Sequence, residues 1–422
     1  MDMQQQIFAM ALNLPEPWFV EDVAMKLAPG GSQMELHITV NYRRGAHFKC
    51  PDCDCNELCP VYDTAEHTWR HLNFFQYKAF ITARVPRVKC KEHGVKTVEV
   101  PWARPNSGFT MLFEMGILLM VKEMPVSTVA ERIGEQDTRL WRVIKHYTTE
   151  ARKNVDMSGV VAIGMDETNT KGQHYITVVM DLHSRRVLFA TEGKDSTTVG
   201  KFVEDFKAHN GNTNNIKIIT SDMSLAFEKG IQENFEQAGL VIDKFHVIKH
   251  LNEGVDAVRK AEVADRQELK QSKYIWLKNK ENLTEKQQIK LENMLQKHPK
   301  VSRAYAMRCE MQDIYSECDD YTSAEKRIKK LISWMMHSRL EPMKKCARML
   351  KNHLQDILNY FTFRYTNAIL EGENSVVQNV KRRARGFRNI EYFICMIYLV
   401  SGQLPLDTVT NEWTKKNQTH MI

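Results

Sequence analysis

The sequence lacks the features of a membrane-spanning, secreted or ATP-driven protein. Its best apolar run, Met111 to Val121, is short and contains Glu114, whereas a transmembrane helix needs about 20 predominantly apolar residues. The first residues have neither the basic start nor the uninterrupted apolar core of a signal peptide. A phosphate-binding loop of the form G-x-x-x-x-G-K followed by Ser or Thr is also missing. We therefore expect a cytoplasmic protein with no membrane span.

Disulfide bonds are not expected either. The chain has nine cysteines, an odd number. Four of them crowd one short stretch: Cys50, Cys53, Cys55 and Cys59. This distribution is not a disulfide framework and suits a reduced protein. The formal net charge of +7 is a mild basic excess, which permits a polyanionic partner but would equally suit enzymes without one.

The patterns of apolar and polar residues divide the chain into several distinct regions. Alternating apolar and polar residues, as in MELHITV, and nearby turn residues predict short strands in the N-terminal part. A helical pattern then runs from Phe109 to about Lys153. The boundaries that we predict are 1–105 for a β-rich region with a zinc module at about 45–100, 106–155 for a helix-turn-helix domain, 156–403 for a catalytic domain and 404–422 for a tail.

The predicted catalytic domain has the order of an α/β fold. Five β-branched, apolar runs begin near Val160, and polar helical stretches separate the later ones. From about 252 to 360 the chain is rich in Lys, Glu, Gln, Leu and Met and poor in strand formers. This composition predicts an insertion made only of amphipathic helices.

Two pairs of residues have the spacing of zinc ligands. Cys50 and Cys53 are separated by two residues, and Cys90 and His93 repeat that spacing further along the chain. Thiolates and a neutral imidazole are preferred zinc ligands, and four of them leave no open position, so we predict a structural zinc ion. Cys55 and Cys59 remain alternative ligands, and reduced surface cysteines beside a solvated histidine are the alternative to a metal site.

The segment MPVSTVAERIGEQDTRLWRVIKHY has the spacing of a helix-turn-helix. We predict a first helix with a capping box at Thr128 and Glu131 that ends at Gly134, and a second helix from about Thr138. Trp141, Ile144 and Leu140 are expected to pack inward. The candidate DNA-binding residues of the second helix are Arg139, Arg142, Lys145 and His146. The alternative is a simple helical hairpin with a solvated basic face.

Three carboxylates suit a metal-dependent nuclease. Asp166 is predicted to end the first strand of the α/β domain, Asp222 to end another, and Glu371 to lie on a later helix. Such an oxygen-rich site suits two Mg²⁺ or Mn²⁺ ions, which would activate a water or a 3′-hydroxyl and stabilise the leaving oxygen. Neighbouring acids are competing candidates: Glu167, Asp181, Asp243 and Glu373. Asp243 is the strongest of them because it lies near His246 at the end of a predicted strand.

A run of cations follows Glu371. Its members are Lys381, Arg382, Arg383, Arg385 and Arg388. We expect them to neutralise DNA phosphates beside the metal site, although a charge run is often only a solvated surface.

Several motifs together resemble the bacterial ISL-three insertion-sequence transposases. They are CPDC, CKEHGVKTVEVPWA, GMDETNTKGQHYITVVMDL, SDMS, DKFHVIKHLN and TNAILEGENSVVQNVKRRARGFRN. The resemblance implies a zinc-binding domain, a helix-turn-helix and a ribonuclease-H-like nuclease core of the DDE type with an all-α insertion. The acids of that family correspond to Asp166, Asp222 and Glu371. Two departures are His93 in place of a cysteine and Gln378 in place of a lysine.

The resemblance also implies a function. Transposases of this kind bind the terminal inverted repeats of a mobile element, cleave to expose 3′-hydroxyl ends and join those ends to target DNA. The partners would be double-stranded DNA and, because two ends must be held together, further copies of the chain in a homodimer or larger assembly. The location would be the bacterial cytoplasm, in association with the nucleoid. The alternatives are a non-catalytic DNA-binding regulator and a nuclease without strand transfer.

Overall fold

The computed structural model describes residues 2–31, 33–53, 57–169, 174–263, 266–365 and 368–406. Contacts between residues divide these into two compact units. The first contains the residues up to Val155, and the second spans Asp156–Gln403. No helix in the described ranges is long and apolar enough to cross a membrane.

The first unit begins with a helix and a six-stranded sheet. The elements are α1 (Met3–Leu12), β1 (Trp18–Leu27), β2 (Met34–Tyr42), β3 (His47–Lys49), β4 (Leu58–Phe74), β5 (Tyr77–Cys90) and β6 (Gly94–Thr97). The strand order is β1-β2-β5-β4-β3, and β6 pairs with β5. Only the pairing of β2 with β5 is parallel among the pairs in this sheet. The predicted β-rich region is therefore observed.

Helix α1 was not predicted from the sequence. Asp2 and Gln5 form a capping box that starts it, but none of its residues is buried. Phe8, Ala9 and Leu12 pack against the core of the sheet but are only partly buried, and Ile7 and Met10 are exposed, so the apolar stripe of this short helix is weak. By contrast, the alternation in β2 buries Leu36, Ile38 and Val40 on one face, as period-two patterning predicts.

Three helices complete the first unit: α2 (Met111–Glu123), α3 (Val126–Ile133) and α4 (Asp137–Lys153). The predicted capping box at Thr128 and Glu131 is wrong, because α3 begins at Val126, directly after Pro125, three residues before the start that an N-cap at Thr128 would give. Proline fixes its own backbone angle and has no N–H to satisfy, so it suits a helix start. The predicted end is observed at Gly134, whose φ of +69° is the left-handed conformation that glycine adopts readily.

The second unit contains a five-stranded mixed sheet. Its strands are β7 (Ala162–Asn169), β8 (Tyr175–Asp181), β9 (Arg186–Glu192), β10 (Ile218–Ser221) and β11 (Gly239–Ile242), in the order β11-β10-β7-β8-β9. β7, β8 and β9 are antiparallel neighbours, whereas β10 is parallel to both β7 and β11. Two helices, α5 (Ser196–Ala208) and α6 (Leu225–Asn234), lie between these strands in the chain. All five predicted strands are present.

Asp166 does not end its strand, contrary to the prediction. β7 continues to Asn169 because it stays paired with β8, where Asp166 faces Val178. Its parallel pairing with β10 stops earlier, at Gly164. Asp166 therefore lies just beyond the parallel part of the sheet, near the point where β10 ends.

From Lys244 onward the described chain is helical. The helices are α7 (Lys244–Val263), α8 (Lys273–Leu277), α9 (Glu285–Lys297), α10 (Pro299–Glu317), α11 (Tyr321–Met336), α12 (Glu341–Asn352), α13 (Leu354–Phe363), α14 (Ala368–Arg383) and α15 (Ile390–Ser401). The helical region begins earlier than the expected 252, directly after β11. It returns to the sheet through α15, where the hydroxyl of Tyr398 accepts a hydrogen bond from the backbone N–H of Ala190 at 2.8 Å.

The close approach of α5 and α6 generates a stability prediction. A Cβ at Gly230 would lie 2.8 Å from the Cβ of Val199 and 3.2 Å from the carbonyl oxygen of Ser196. We expect Gly230→Ala to lower the free energy of unfolding by about 1–3 kcal/mol because these atoms cannot rotate away. Gly200→Ala is the matched control, since open space surrounds that position in α5. It should be neutral or raise stability by up to about 1 kcal/mol, and urea unfolding of the two variants would measure the difference. Equal stability of the two variants would contradict this packing.

Candidate metal centres and DNA-facing surfaces

Three of the four predicted zinc ligands lie together. Cys50 follows β3, while Cys90 and His93 lie in the hairpin between β5 and β6. Nδ1 of His93 is 3.9 Å from Sγ of Cys50 and 3.7 Å from Sγ of Cys90. Sulfur and nitrogen ligands of a tetrahedral zinc ion are about 3.6 Å apart, given typical zinc–ligand distances. These three groups therefore fit one zinc ion.

The environment of Cys90 favours the thiolate, which is the form that binds zinc. The backbone N–H groups of His93 and Glu92 and the ring of His93 lower the pKa of Cys90 to about 6. Cys50 differs, because burial raises the pKa of its thiol, although the backbone N–H of Asp52 opposes that effect. The turn after Cys90 thus holds amide groups ready to stabilise a metal-bound sulfur.

The fourth ligand is not fixed by the geometry. Sγ of Cys53 lies 3.7 Å from Oε2 of Glu92. Cys53, Glu92 and His93 form a second group of possible ligands that shares only His93 with the first. Cys55 lies outside the described residues. Cys59 is paired with Phe48 in β4 and belongs to neither group among the residues described.

In the second unit, Asp166 and Asp222 lie near each other at the sheet. Asp222 directly follows β10, and its charge raises the pKa of Asp166, although burial is the larger cause. Burial also raises the pKa of Asp222. Oδ1 of Asp222 is buried without a hydrogen-bond partner among the described residues. Two neighbouring, partly buried carboxylates with an unpartnered oxygen fit a divalent cation, whose positive charge would offset the burial and the mutual repulsion.

One face of helix α14 lies against β7, the strand that carries Asp166. Asn374 donates a hydrogen bond to Oδ2 of Asp166, Gln378 donates to the hydroxyl of Thr168, and Nζ of Lys381 donates to the carbonyl of Asn169. These three helix positions are spaced by four and three residues, so one face of α14 follows β7. Position 371 precedes Asn374 by one turn on that face. The side chains of Glu371 and Glu373 lie outside what the structure describes.

Two competing acids have structural partners. Asp181 accepts hydrogen bonds from the backbone N–H of His183 at 3.0 Å and from the hydroxyl of Ser184 at 2.6 Å, so it stabilises the turn after β8. Asp243 lies 3.3 Å from Nδ1 of His246. Glu167 remains beside the site, and its pKa is raised by burial and by the charges of Asp222 and Asp166.

His246 was noted in the sequence beside Asp243, whereas Glu228 and Asn374, which also lie at the site, did not stand out there. Asp243 is the main cause that raises the pKa of His246, and the charges of Asp222 and Asp166 act in the same direction. Glu228 pairs with His353 at 3.2 Å, and Asp222 contributes to the raised pKa of Glu228. Nothing in the local sequence signals Glu228, because only the folded α6 brings it near Asp222. Asn374 could have been found, since it shares a helix face with position 371.

The predicted DNA-binding residues of α4 have different environments. Arg139 is half-buried, pairs with Glu135 and stacks over the ring of Phe109 at 4.0 Å. Arg142 and Lys145 are exposed, whereas His146 is half-buried and burial lowers its pKa. Leu140 and Ile144 are buried as predicted, but Trp141 is only half-buried.

The basic run after Glu371 lies at the end of α14 and in the turn that follows. Its exposed members are Arg382, Arg383, Arg385 and Arg388. Lys381 is half-buried, and its contact with Asn169 joins the basic run to β7. The run therefore begins beside the strand that carries Asp166.

Family models match three parts of the chain. Residues 46–93 match the zinc-finger of transposase IS204/IS1001/IS1096/IS1165, and residues 98–148 match the helix-turn-helix domain of transposase family ISL3. Residues 163–397, more than half of the chain, match the ISL3 model described as a transposase, of the DDE type. The fold and the site therefore define a DDE transposase with a zinc module and a DNA-binding helix-turn-helix. The chain belongs to the ISL3 family of transposases, which confirms the resemblance seen in its motifs.

Curated relatives agree with this assignment. The transposase for insertion sequence element IS1557 of Mycobacterium tuberculosis is 24% identical over 95% of this chain and 96% of its own length. The transposase for insertion sequence element IS1001 of Bordetella parapertussis is 28% identical over 81% of this chain and 86% of its own. The chain is thus an enzyme of DNA strand cleavage and transfer, a class that uses a divalent metal, and its zinc-finger implies bound zinc. A non-catalytic regulator is not favoured.

The zinc geometry predicts which cysteines retain the metal. Cys50→Ser and Cys90→Ser should each abolish stoichiometric zinc, because each removes one of three converging ligands. Cys59→Ser is the control and should keep the metal. Elemental analysis of the purified variants would measure this, and Cys53→Ser compared with Glu92→Gln would identify the fourth ligand. Full zinc content in Cys90→Ser would contradict the site.

The carboxylate pair predicts a gain of stability when one charge is removed. Raised pKa values of Asp166 and Asp222 mean that the folded state favours their protonated forms. The stability that they contribute is therefore present at low pH and is lost as pH rises through the folded-state pKa values. At neutral pH without metal, Asp222→Asn should raise Tm by about 2–4 °C for each kcal/mol relieved.

Added Mg²⁺ should raise Tm of the wild type more than Tm of Asp222→Asn, because the variant has less charge to neutralise. Asp181→Asn is the control and should lower Tm, since Asp181 accepts hydrogen bonds in a turn. Thermal melts with and without the ion would test both expectations. A metal-free Asp222→Asn variant that melts below the wild type would show that the carboxylate is needed for folding instead.

Proposed function

We propose that this transposase binds the terminal inverted repeats of an insertion sequence, cleaves there to expose 3′-hydroxyl ends, and joins those ends to target DNA. The proposed ligands of two Mg²⁺ or Mn²⁺ ions are Asp166, Asp222 and Glu371. The observation that carries this proposal is the partly buried pair of Asp166 and Asp222, in which the buried Oδ1 of Asp222 has no hydrogen-bond partner among the described residues. Two ions held there would activate the attacking oxygen and stabilise the leaving one.

We infer a ribonuclease-H-like fold for the nuclease core. An antiparallel meander of β9, β8 and β7, continued by the parallel strands β10 and β11, supports this assignment. The helical stretch between β11 and α14 is the proposed all-α insertion, at about 252–360. The proposed domains are otherwise 1–105 with zinc at about 45–100, 106–155, 156–403 and a tail at 404–422. The proposed zinc ligands are Cys50, Cys53, Cys90 and His93.

The residues around the acids have distinct roles in this proposal. Asn374 donates to Oδ2 of Asp166 and thereby fixes the orientation of that carboxylate. His246, paired with Asp243, places positive charge near both aspartates, since each of them raises its pKa. In-line attack at phosphorus needs no covalent protein intermediate, so no side chain has to act as the nucleophile.

DNA would contact two basic surfaces. In α4 we propose Arg142 and Lys145 as the main groups and His146 as a neighbour, because the first two are exposed. Arg139 would act mainly by holding α4 against Phe109 and Glu135. The second surface consists of Arg382, Arg383, Arg385 and Arg388, with Lys381 at its start, and it would bind phosphates close to the nuclease site.

The assembly that acts on DNA would contain at least two copies of the chain. Transposition must hold two element ends together, and one helix-turn-helix per chain reads one end. We therefore propose a homodimer or larger assembly on DNA, associated with the bacterial nucleoid.

The nuclease proposal is tested with DNA that carries the element's own end sequence. Asp166→Asn, Asp222→Asn and Glu371→Gln should each lower Mg²⁺- or Mn²⁺-dependent nicking and joining by at least about a hundredfold, because each removes a metal ligand. Binding of the end should be retained. Glu373→Gln, two residues from Glu371, is the matched control and should remain active.

Binding is separated from chemistry in the same experiment. Replacing Arg142 and Lys145 by Ala should weaken end binding without changing the cleavage rate at saturating protein, because these residues lie on α4 in the other unit. Cleavage that survives loss of Asp166 or Asp222 would refute the assigned site and direct attention to Asp243. Nicking without any joining would indicate the nuclease alternative.

A further inference from the structure

A cavity of about 600 Å³ lies among the helices of the insertion. Its walls come from α7, α8, α10 and the segment that joins α8 to α9. The lining residues that matter here are Asp243, Lys244, Phe245, Lys278, Arg308 and Tyr315. Neither the cavity nor Arg308 has a part in the metal site or the DNA-facing surfaces described above.

Arg308 is a buried cation with only neutral partners. Its side chain is 1% exposed. Nε donates to Oδ1 of Asn252 at 3.0 Å, and Nη2 donates to the carbonyl of Leu277 at 3.1 Å and to Oδ1 of Asn279 at 2.7 Å. Nη1 has no hydrogen-bond partner among the described residues, and none of their carboxylates pairs with this guanidinium. Buried charges in proteins are usually paired, so burial of this guanidinium costs free energy unless an anion binds to it.

Tyr315 adds a second unpartnered donor to the same cavity. It is 9% exposed, and its hydroxyl has no hydrogen-bond partner among the described residues. The ring is held against Tyr360 and Phe361 at centroid distances of 5.3 and 5.6 Å. Burial raises the pKa of Tyr315, so its hydroxyl keeps its proton at neutral pH and can donate a hydrogen bond.

We propose that this cavity binds a phosphate group through the guanidinium of Arg308 and the hydroxyl of Tyr315. A phosphate supplies the missing negative charge and several acceptor oxygens, and a planar guanidinium suits it well. Lys244 and Lys278 are exposed and also line the cavity, so they add positive charge. Asp243 is the one acid among the lining residues, and it is engaged with His246.

The position of the cavity favours a phosphate of bound DNA as the ligand. Asp243 lines the cavity and contacts His246, and the pKa of His246 responds to Asp222 and Asp166. A strand whose reacting phosphate lay at those acids would carry further phosphates along its backbone on either side, and we propose that one of them is the ligand. This choice of ligand rests on the proposed function. A free phosphate ion has the same chemistry and is the alternative source.

The test uses three substitutions in the full-length chain. Tyr315→Phe removes only the hydroxyl, and Arg308→Gln removes the charge. Tyr305→Phe is the matched control, because Tyr305 is also in α10 and also has a buried hydroxyl without a hydrogen-bond partner among the described residues, yet it does not line the cavity. Thermal melts verify folding. If Arg308→Gln fails to fold, Tyr315→Phe and its control still decide the question.

Each variant is titrated with end DNA in which single phosphates near the cleaved bond are replaced in turn by neutral methylphosphonates. For the wild type, methylphosphonate replacement at one phosphate position should weaken DNA binding by about tenfold. Tyr315→Phe and Arg308→Gln should weaken binding of unmodified DNA and lose their sensitivity at that position, because the two changes remove the same interaction. Arg308→Gln should also lower the salt dependence of binding by about one phosphate contact. Tyr305→Phe should behave as the wild type.

Calorimetric titration with inorganic phosphate provides the second arm. If inorganic phosphate binds to the wild type but not to Arg308→Gln, and no phosphate position of the DNA depends on Arg308 or Tyr315, the ligand of the cavity is a free phosphate ion. If neither arm depends on Arg308 or Tyr315, the cavity holds only water and the proposal is refuted. If the wild type cleaves end DNA and all three variants bind that DNA as the wild type does, this inference alone is refuted. If the wild type never cleaves end DNA, the proposed function is refuted.

Discussion

The proposed metal site depends on two partly buried aspartates that lie near each other. Asp166 lies in β7 and Asp222 directly follows β10, so two neighbouring strands of the sheet position them. Each negative charge opposes the other, and loss of hydration opposes both. The surrounding groups reduce this penalty only in part, through Asn374 on one side and His246 on the other. The unfavourable burial and repulsion of the two carboxylates therefore remain in the folded protein, and a divalent cation bound between them would offset both.

The charges of the two aspartates also account for the polar character of the contacts between α14 and β7. Its contacts with β7 are polar, through Asn374, Gln378 and Lys381, in a unit whose other helix contacts are largely apolar. Gln378, the residue that departs from the family's lysine, therefore bonds to Thr168 within the protein. A polar helix face beside a carboxylate pair suits a metal site, because it leaves no apolar surface against the charges.

The features that could be predicted are those determined by residues close together in the sequence. The five apolar runs after Val160 became the five strands, since β-branched periodicity is set by neighbouring residues. Cys50, Cys90 and His93 were identified by spacing and lie together. Helix α1 was missed because its apolar residues are only partly buried, and the end of β7 was misplaced because β8 prolongs it. Glu228 and Arg308 could not be found, since their burial and their neighbours arise only when distant helices pack.

The long helical stretch between β11 and α14 has a consequence for synthesis of the chain. A ribosome completes the zinc module and the helix-turn-helix first, then the strands that carry both aspartates, and only much later α14. Domains generally fold as they emerge, N-terminal parts first. A nascent or truncated chain can therefore gain its DNA-reading unit before its nuclease is complete.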